Sequence, residues 1–145
     1  MIFSKHSFFA ITFCSIALLS CSNKTHTKED VELAMKQYDR LIQKMDTDSI
    51  ALLYTEDGDL GEMAHGRDSI RKFLASFKGF KVLSQLSTSD SINLVGDSAL
   101  QKGTYRQVVI TPKNDTVTVK GEYKANWVWL SKNGWHIKRM ETKSL

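Results

Sequence analysis

The residue order predicts an α+β domain in which three N-terminal helices pack on one face of a curved antiparallel sheet. Three observations lead there. Apolar residues recur at helical spacing in the first half of the chain, β-branched and aromatic residues crowd the second half, and turn signals cut that half into hairpins.

The elements follow in order. At the start, Lys5 precedes an apolar run from Phe8 to Leu19 that ends in Leu18-Leu19-Ser20-Cys21. This is the pattern of a lipoprotein signal peptide: a positive n-region, a short apolar h-region and a small residue directly before a cysteine. A run of that length, at about 1.5 Å per residue, covers roughly 18 Å against roughly 30 Å of bilayer core, so processing is expected rather than spanning. Residues 1–20 are therefore expected to be removed, leaving Cys21 as an acylated first residue, 21–28 as a lipidated tether and 29–145 as one domain in the bacterial cell envelope. Ser22 follows the cysteine where an inner-membrane retention signal would place Asp, so outer-membrane anchoring is expected in a diderm host. Cys14 leaves with the leader and Cys21 carries lipid, so the chain's 2 cysteines leave no disulfide to hold the fold.

Thr27 is expected to cap the first helix, with Asp30 completing a capping box, and Val31, Ala34, Met35, Tyr38, Leu41, Ile42 and Met45 mark its apolar face. Asp46 or Asp48 caps a short second helix carrying Ile50, Leu53 and Tyr54. A Gly- and acid-rich loop from Glu56 to Gly66 is expected next, then a third helix from Arg67 to Phe77. The strand runs are Lys81 to Leu86, Ser91 to Val95, Ser98 to Ile110, Thr116 to Leu130 and Trp135 to Thr142. Gly96-Asp97, Pro112 to Asp115 and Asn133-Gly134 separate the later ones.

The formal net charge is +4, and loss of Lys5 with the leader lowers it by one. Lys36, Arg40 and Lys44 share one helical face, which reads as a solvated face, and nothing resembles a nucleic-acid-binding module. No cofactor is expected. The histidines do not form a metal-ligand spacing, and Asp57-Gly-Asp59-Leu-Gly-Glu62 lacks the later ligands of an EF-hand, so no metal site is expected.

From about Asp30 to Glu141 the chain resembles the NTF2-like superfamily, the α+β cone of cystatin-like shape that includes the SnoaL-like and DUF4440 groups and the ketosteroid isomerases. The resemblance rests on the helix with Tyr38, on Ile50-Ala-Leu-Leu-Tyr-Thr-Glu-Asp57, on Gly66 with Ile70 and Phe73, and on Gly121, Tyr123, Trp127, Gly134 and Trp135. It specifies a fold and leaves function to the site, because members include enzymes, binders and assembly domains.

Read as a two-residue hairpin, Asn133-Gly134 places Leu130 opposite Ile137, Val128 opposite Arg139 and Asn126 opposite Glu141. One sheet face would then carry Val128, Ile137, Asn126, Arg139 and Glu141. Placed beneath the helices, that face forms with Tyr54 and Asp57, and with His65 at the rim, the expected pocket for a small polar or amphipathic ligand. The other face would carry Trp127, Trp129 and Met140, too apolar to stay wet, and is expected to form a homodimer interface, with cover by the N-terminal segment as the alternative. By resemblance to ketosteroid isomerase, Tyr38 and Asn126 match oxyanion donors and Glu62 matches the carboxylate base. Three functions stay open: non-catalytic ligand binding, which the reading favours; proton transfer of the isomerase, dehydratase or cyclase type through Glu62, Tyr38 and Asn126; and an envelope adaptor that recruits a protein partner.

Overall fold

The computed structural model describes residues 25–145; Cys21 and the leader lie outside them. Helix α1 spans Lys28–Lys44, and its capping box forms as the sequence predicts. The Asp30 backbone N–H donates to Thr27 Oγ1 at 3.2 Å, and Thr27 N–H donates to Asp30 Oδ2 at 2.9 Å. Its buried stripe is Val31, Met35, Asp39 and Ile42, so a carboxylate sits among the apolar anchors. Helix α2, Thr47–Leu52, starts at Asp46, whose side chain accepts from Ser49 N–H. Helix α3, Arg67–Ala75, follows Gly66 at φ 77°, a left-handed conformation that favours glycine.

Six strands make one mixed sheet in the order β2-β1-β6-β5-β4-β3. They are β1 (Tyr54–Leu60), β2 (Ala64–His65), β3 (Lys81–Val95), β4 (Ser98–Ile110), β5 (Thr116–Leu130) and β6 (Gly134–Ser144). Two expectations change here. Tyr54 belongs to a strand rather than to α2, and the acid-rich stretch after it forms β1, a tight turn and β2 instead of a loop. Asp and Gly are poor strand formers, but β1 has a partner that overrides propensity. It runs parallel to β6, tied on by Ile137 N–H to Leu53 O and Gly61 N–H to Met140 O, both 2.7 Å. The sheet is therefore mixed rather than purely antiparallel. The two runs expected between Lys81 and Val95 are one long strand, interrupted by bulges at Leu83 and Asp90.

Each bulge restores the same side to the concave face, so Val82, Gln85, Ser87, Ser89 and Ile92 all point inward opposite alternate residues of β4. Two glycines mark the places where the sheet leaves no room for a side chain. Gly103 pairs with Tyr123 and Gly121 with Tyr105. A Cβ on Gly103 would lie 2.0 Å from Thr88 O, and one on Gly121 would lie 2.4 Å from Lys143 O, with the paired tyrosine ring within 2.8 Å in each case. Each glycine is thus covered by the ring of its cross-strand tyrosine.

The last hairpin corrects the register. Asn133 N–H donates to Leu130 O at 2.8 Å and Gly134 takes φ 88°, so the turn has three loop residues and Leu130 pairs with Gly134. Trp127 then pairs with Ile137, an extra residue at Lys138 forms a bulge, and Asn126 pairs with Arg139. The added loop residue and the bulge cancel in parity, so Asn126 still shares a face with Arg139 and Glu141, and Trp127 with Met140, while Ile137 crosses to the Trp127 side; what is inverted is which of the two faces lies beneath the helices. Trp127 and Met140, expected at a dimer interface, are each 1% exposed in the chain's own core. Trp129 is half-buried, and His26 of the preceding segment packs on it at 4.3 Å between ring centroids while its Nε2 reaches Asp97 Oδ1 at 3.1 Å. The N-terminal segment covers this tryptophan.

Candidate functional site

Between the concave face of the sheet and helices α1 and α3 lies a half-open hollow with two adjoining chambers. The inner chamber, about 180 Å³, is lined by Tyr38, Gln85, Ser87, Tyr105 and Tyr123, with Met35, Met63 and Met140 as soft apolar wall. The outer chamber, about 290 Å³, is lined by Phe77, Phe80, Val82, Val109, Val117 and Val119. Ile42, Leu74 and Gln107 line both, which sets the two side by side. A polar end and an apolar end in one concave space are the usual make-up of a small-ligand pocket.

Asp39 organises the polar end. It is 8% exposed and accepts from Ser87 N–H at 2.8 Å, Ser87 Oγ at 2.7 Å and Gln85 Nε2 at 3.2 Å. These donors are all neutral, and among the described residues no Lys, Arg or His lines either chamber. With the Ser87 hydroxyl proton and a Gln85 amide proton committed to Asp39, the Gln85 Oε1 and the Ser87 lone pairs remain to accept hydrogen bonds.

The tyrosines register the burial and the charge. Tyr38 is pushed up to about 12, first by burial, an effect that the adjoining Tyr54 hydroxyl opposes and the Asp39 charge reinforces. Tyr54, fully buried, is raised well above the ordinary range by burial and then by Tyr38. Its hydroxyl has no well-aligned partner among the described residues. Tyr123 is raised by burial, opposed by the Ser89 hydroxyl, and raised further by Asp39, Asp90 and Glu32. Behind this wall runs a buried polar chain. Trp127 Nε1 donates to Gln101 Oε1 at 2.9 Å, Gln101 Nε2 donates to Ser89 Oγ at 2.7 Å, and Gln101 is fully buried.

The residues expected to form the pocket from the final hairpin lie elsewhere. Arg139, Asn126 and Glu141 share a face as expected, but it is the convex one, because the opposite side of the hairpin, with Tyr123, Ala125, Trp127 and Met140, packs into the core beneath the helices. There Arg139 gathers three carboxylates: Nη2 to Glu62 Oε1 at 2.5 Å, Nε to Glu141 Oε1 at 2.7 Å and Nη1 to Asp59 Oδ2 at 3.4 Å. His65 Nδ1 joins at 2.6 Å from Asp59, and Asp57 pairs with Lys138 at 2.6 Å. The Glu62 side chain is 92% exposed. The Arg139 hydrogen bond holds the Glu141 carboxyl below the usual carboxylate range, and the His65 hydrogen bond does the same for Asp59. Val128 pairs with His136 away from the hollow, while Ile137 and Tyr54 are fully buried core residues. Of the three residues aligned with isomerase chemistry, only Tyr38 reaches the cavity; Glu62 and Asn126 are on the other side of the sheet.

Fold and hollow together define the class: an NTF2-like cone whose cavity lies between the helices and a strongly bent sheet. The chain belongs to the SnoaL-like domain family, whose model matches residues 23–141. Among solved structures it is similar to a ketosteroid isomerase-like protein from Erwinia carotovora atroseptica SCRI1043, at 15% identity over 81% of this chain and 95% of that one, TM-score 0.71. An NTF2-like superfamily protein from Salmonella enterica serovar Typhimurium LT2 shares 12% identity over 80% and 89% of the two chains, TM-score 0.67. An NTF2-like protein with a cystatin-like fold from Novosphingobium aromaticivorans shares 16% over 81% and 80%, TM-score 0.65. At these identities the likeness is one of fold. No curated protein matches the chain.

Sequence reasoning missed Asp39, Gln85, Ser87, Tyr105 and Gln107. A signal was present in the alternation of Gln85, Ser87 and Ser89, three polar residues at one parity in a strand whose other side also carries polar groups. It shows only when the strand is read as one element with bulges.

Proposed function

We propose that this chain is a lipid-anchored, extracytoplasmic binding protein that holds a small polar or amphipathic molecule inside the cone without transforming it. The observation that carries the reading is the two-chambered hollow, polar at Tyr38, Gln85 and Ser87 and apolar at Phe77 and Phe80. Proton transfer needs a base within hydrogen-bond reach of the substrate. The described residues lining the hollow include no carboxylate or imidazole, Asp39 is engaged by three donors behind it, and Glu62 is paired with Arg139 outside it. That arrangement supports binding over the isomerase-type alternative. Attachment through Cys21 rests on the leader pattern, and loss of membrane fractionation in Cys21→Ala is its expected signature.

The binding reading is tested by screening neutral and charged small molecules for a concentration-dependent rise in melting temperature. The screen is repeated on Gln107→Trp, which places a large ring at the junction of the chambers. Hits lost in that variant, with its circular dichroism unchanged, support the cavity. Hits that persist unchanged place the ligand elsewhere and contradict the proposal.

A further inference from the structure

The inner chamber pairs two features that select for charge. Its walls include Tyr38, Tyr105, Tyr123 and Phe73, and its polar end is backed by the buried Asp39 carboxylate, whose donors are all neutral. A protein of formal charge +4 thus holds a pocket into which, among the described residues, no cationic side chain projects. An anion placed there would meet Asp39 without compensation, and a charge taken from water without a partner is strongly disfavoured. A cation would gain from the carboxylate behind Ser87 and Gln85, from the aromatic walls and from the thioethers of Met35, Met63 and Met140.

We infer that the cavity is selective for a small organic cation, a substituted ammonium whose head sits among Tyr38, Tyr105 and Tyr123 against the Asp39–Ser87–Gln85 cluster. Any apolar tail then lies in the outer chamber between Phe77, Phe80 and Val117. The inner volume of about 180 Å³ admits a head group of this kind, since cavities of about 150 Å³ hold a benzene-sized guest. A quaternary head suits the chemistry best. It has no N–H to satisfy, so it loses less on leaving water than a primary ammonium does, and aromatic walls attract it through the ring quadrupole. A primary amine would instead donate to Gln85 Oε1 and Ser87 Oγ. The inference rests on the cavity being a ligand site and adds the sign of the ligand's charge.

Three soluble probes of one shape separate charge from size: choline, its neutral carbon isostere 3,3-dimethyl-1-butanol and the anionic 3,3-dimethylbutyrate. Calorimetric titration of the full chain is expected to give choline at least about tenfold tighter than the alcohol, with no measurable carboxylate binding. Asp39→Asn is expected to shrink the choline-to-alcohol ratio. Tyr38→Phe, which keeps the ring, is expected to preserve that ratio, and Tyr38→Leu to reduce it. The wild-type comparison stands even if the Asp39 variant fails to fold. Equal affinity for choline and the alcohol, or preference for the carboxylate, overturns the inference while leaving the cavity a ligand site. No binding by any of the three overturns it too, and the Gln107→Trp screen then decides separately whether the cavity binds at all.

Discussion

Asp39 occupies a position that helical periodicity reserves for an apolar side chain, between Met35 and Ile42 on the buried stripe of α1. Its desolvation is offset by three hydrogen bonds from β3, which also lock Ser87 and Gln85 into fixed donor and acceptor roles. Gln101 plays the corresponding part on the other side of Tyr123, joining the Trp127 indole to Ser89. Gln101→Leu keeps the shape but strips both partners, and is expected to cost about 1–3 kcal/mol. Urea unfolding at unchanged slope measures this. The tyrosines carry a pH signature. Tyr38 stays neutral in the folded chain to about 12, whereas in the unfolded chain it ionises near 10.0. Its contribution is fully present below pH 10 and is lost between pH 10 and about 12, because the unfolded state binds fewer protons there. Tyr38→Phe is expected to flatten the alkaline fall in the urea midpoint across that window. A wild-type midpoint that stays level to pH 12 would contradict the burial of this hydroxyl.

At the scale of elements, the bends in the sheet decide which residues meet. Gly103 and Gly121 are tolerant of nothing larger, since a Cβ would strike backbone oxygen at 2.0 and 2.4 Å. Gly103→Ala and Gly121→Ala are each expected to destabilise by about 2–4 kcal/mol, in the range of severe core overpacking. Gly96→Ala, where nothing lies within 4 Å but φ is 55°, should lose only about 1 kcal/mol. Thermal unfolding of the three variants ranks them, and equal losses would mean that the bend is not held by those close approaches. The same bends explain what was legible. Helix α1 with its capping box, α3 and the β4 and β5 strands follow from local periodicity and turn chemistry. Which face of the β5–β6 hairpin meets the helices does not, because Trp127, Trp129 and Met140 on one side and Val128 and Leu130 on the other leave both sides apolar near the turn, and only the packing shows that Trp127 and Met140 are the core side. β1 was hidden for another reason. Tyr54–Leu60 contains two Asp, one Glu and a Gly, and becomes a strand only through its long-range pairing with β6.

For the whole molecule, the two sides of the sheet have separate tasks. The concave side with α1 and α3 makes a hollow that no cationic side chain lines among the described residues, and the convex side holds the Arg139 cluster that ties β1 to β6. Trp127→Lys tests this division. The residue is 1% exposed, so an ammonium there is buried without a counter-charge, and the variant is expected to unfold or lose several kcal/mol rather than to remain folded with an altered surface. Glu62→Gln, by contrast, removes one arm of an exposed ion pair and is expected to change stability by no more than about 1 kcal/mol. It should leave ligand affinity intact. Loss of binding in Glu62→Gln with the fold preserved would return the carboxylate to the site.

The central claim is that the ligand enters the cone and not the charged cluster outside it, and the most direct measurement is amide chemical-shift mapping on the 16.4 kDa chain. The labelled protein would be titrated with choline and with 3,3-dimethyl-1-butanol. Saturable shifts concentrated at Tyr38, Asp39, Gln85, Ser87, Tyr105 and Gln107, larger with choline, are the expected result. Shifts confined to Glu62, His65, Arg139 and Glu141, with the concave residues silent, would contradict it.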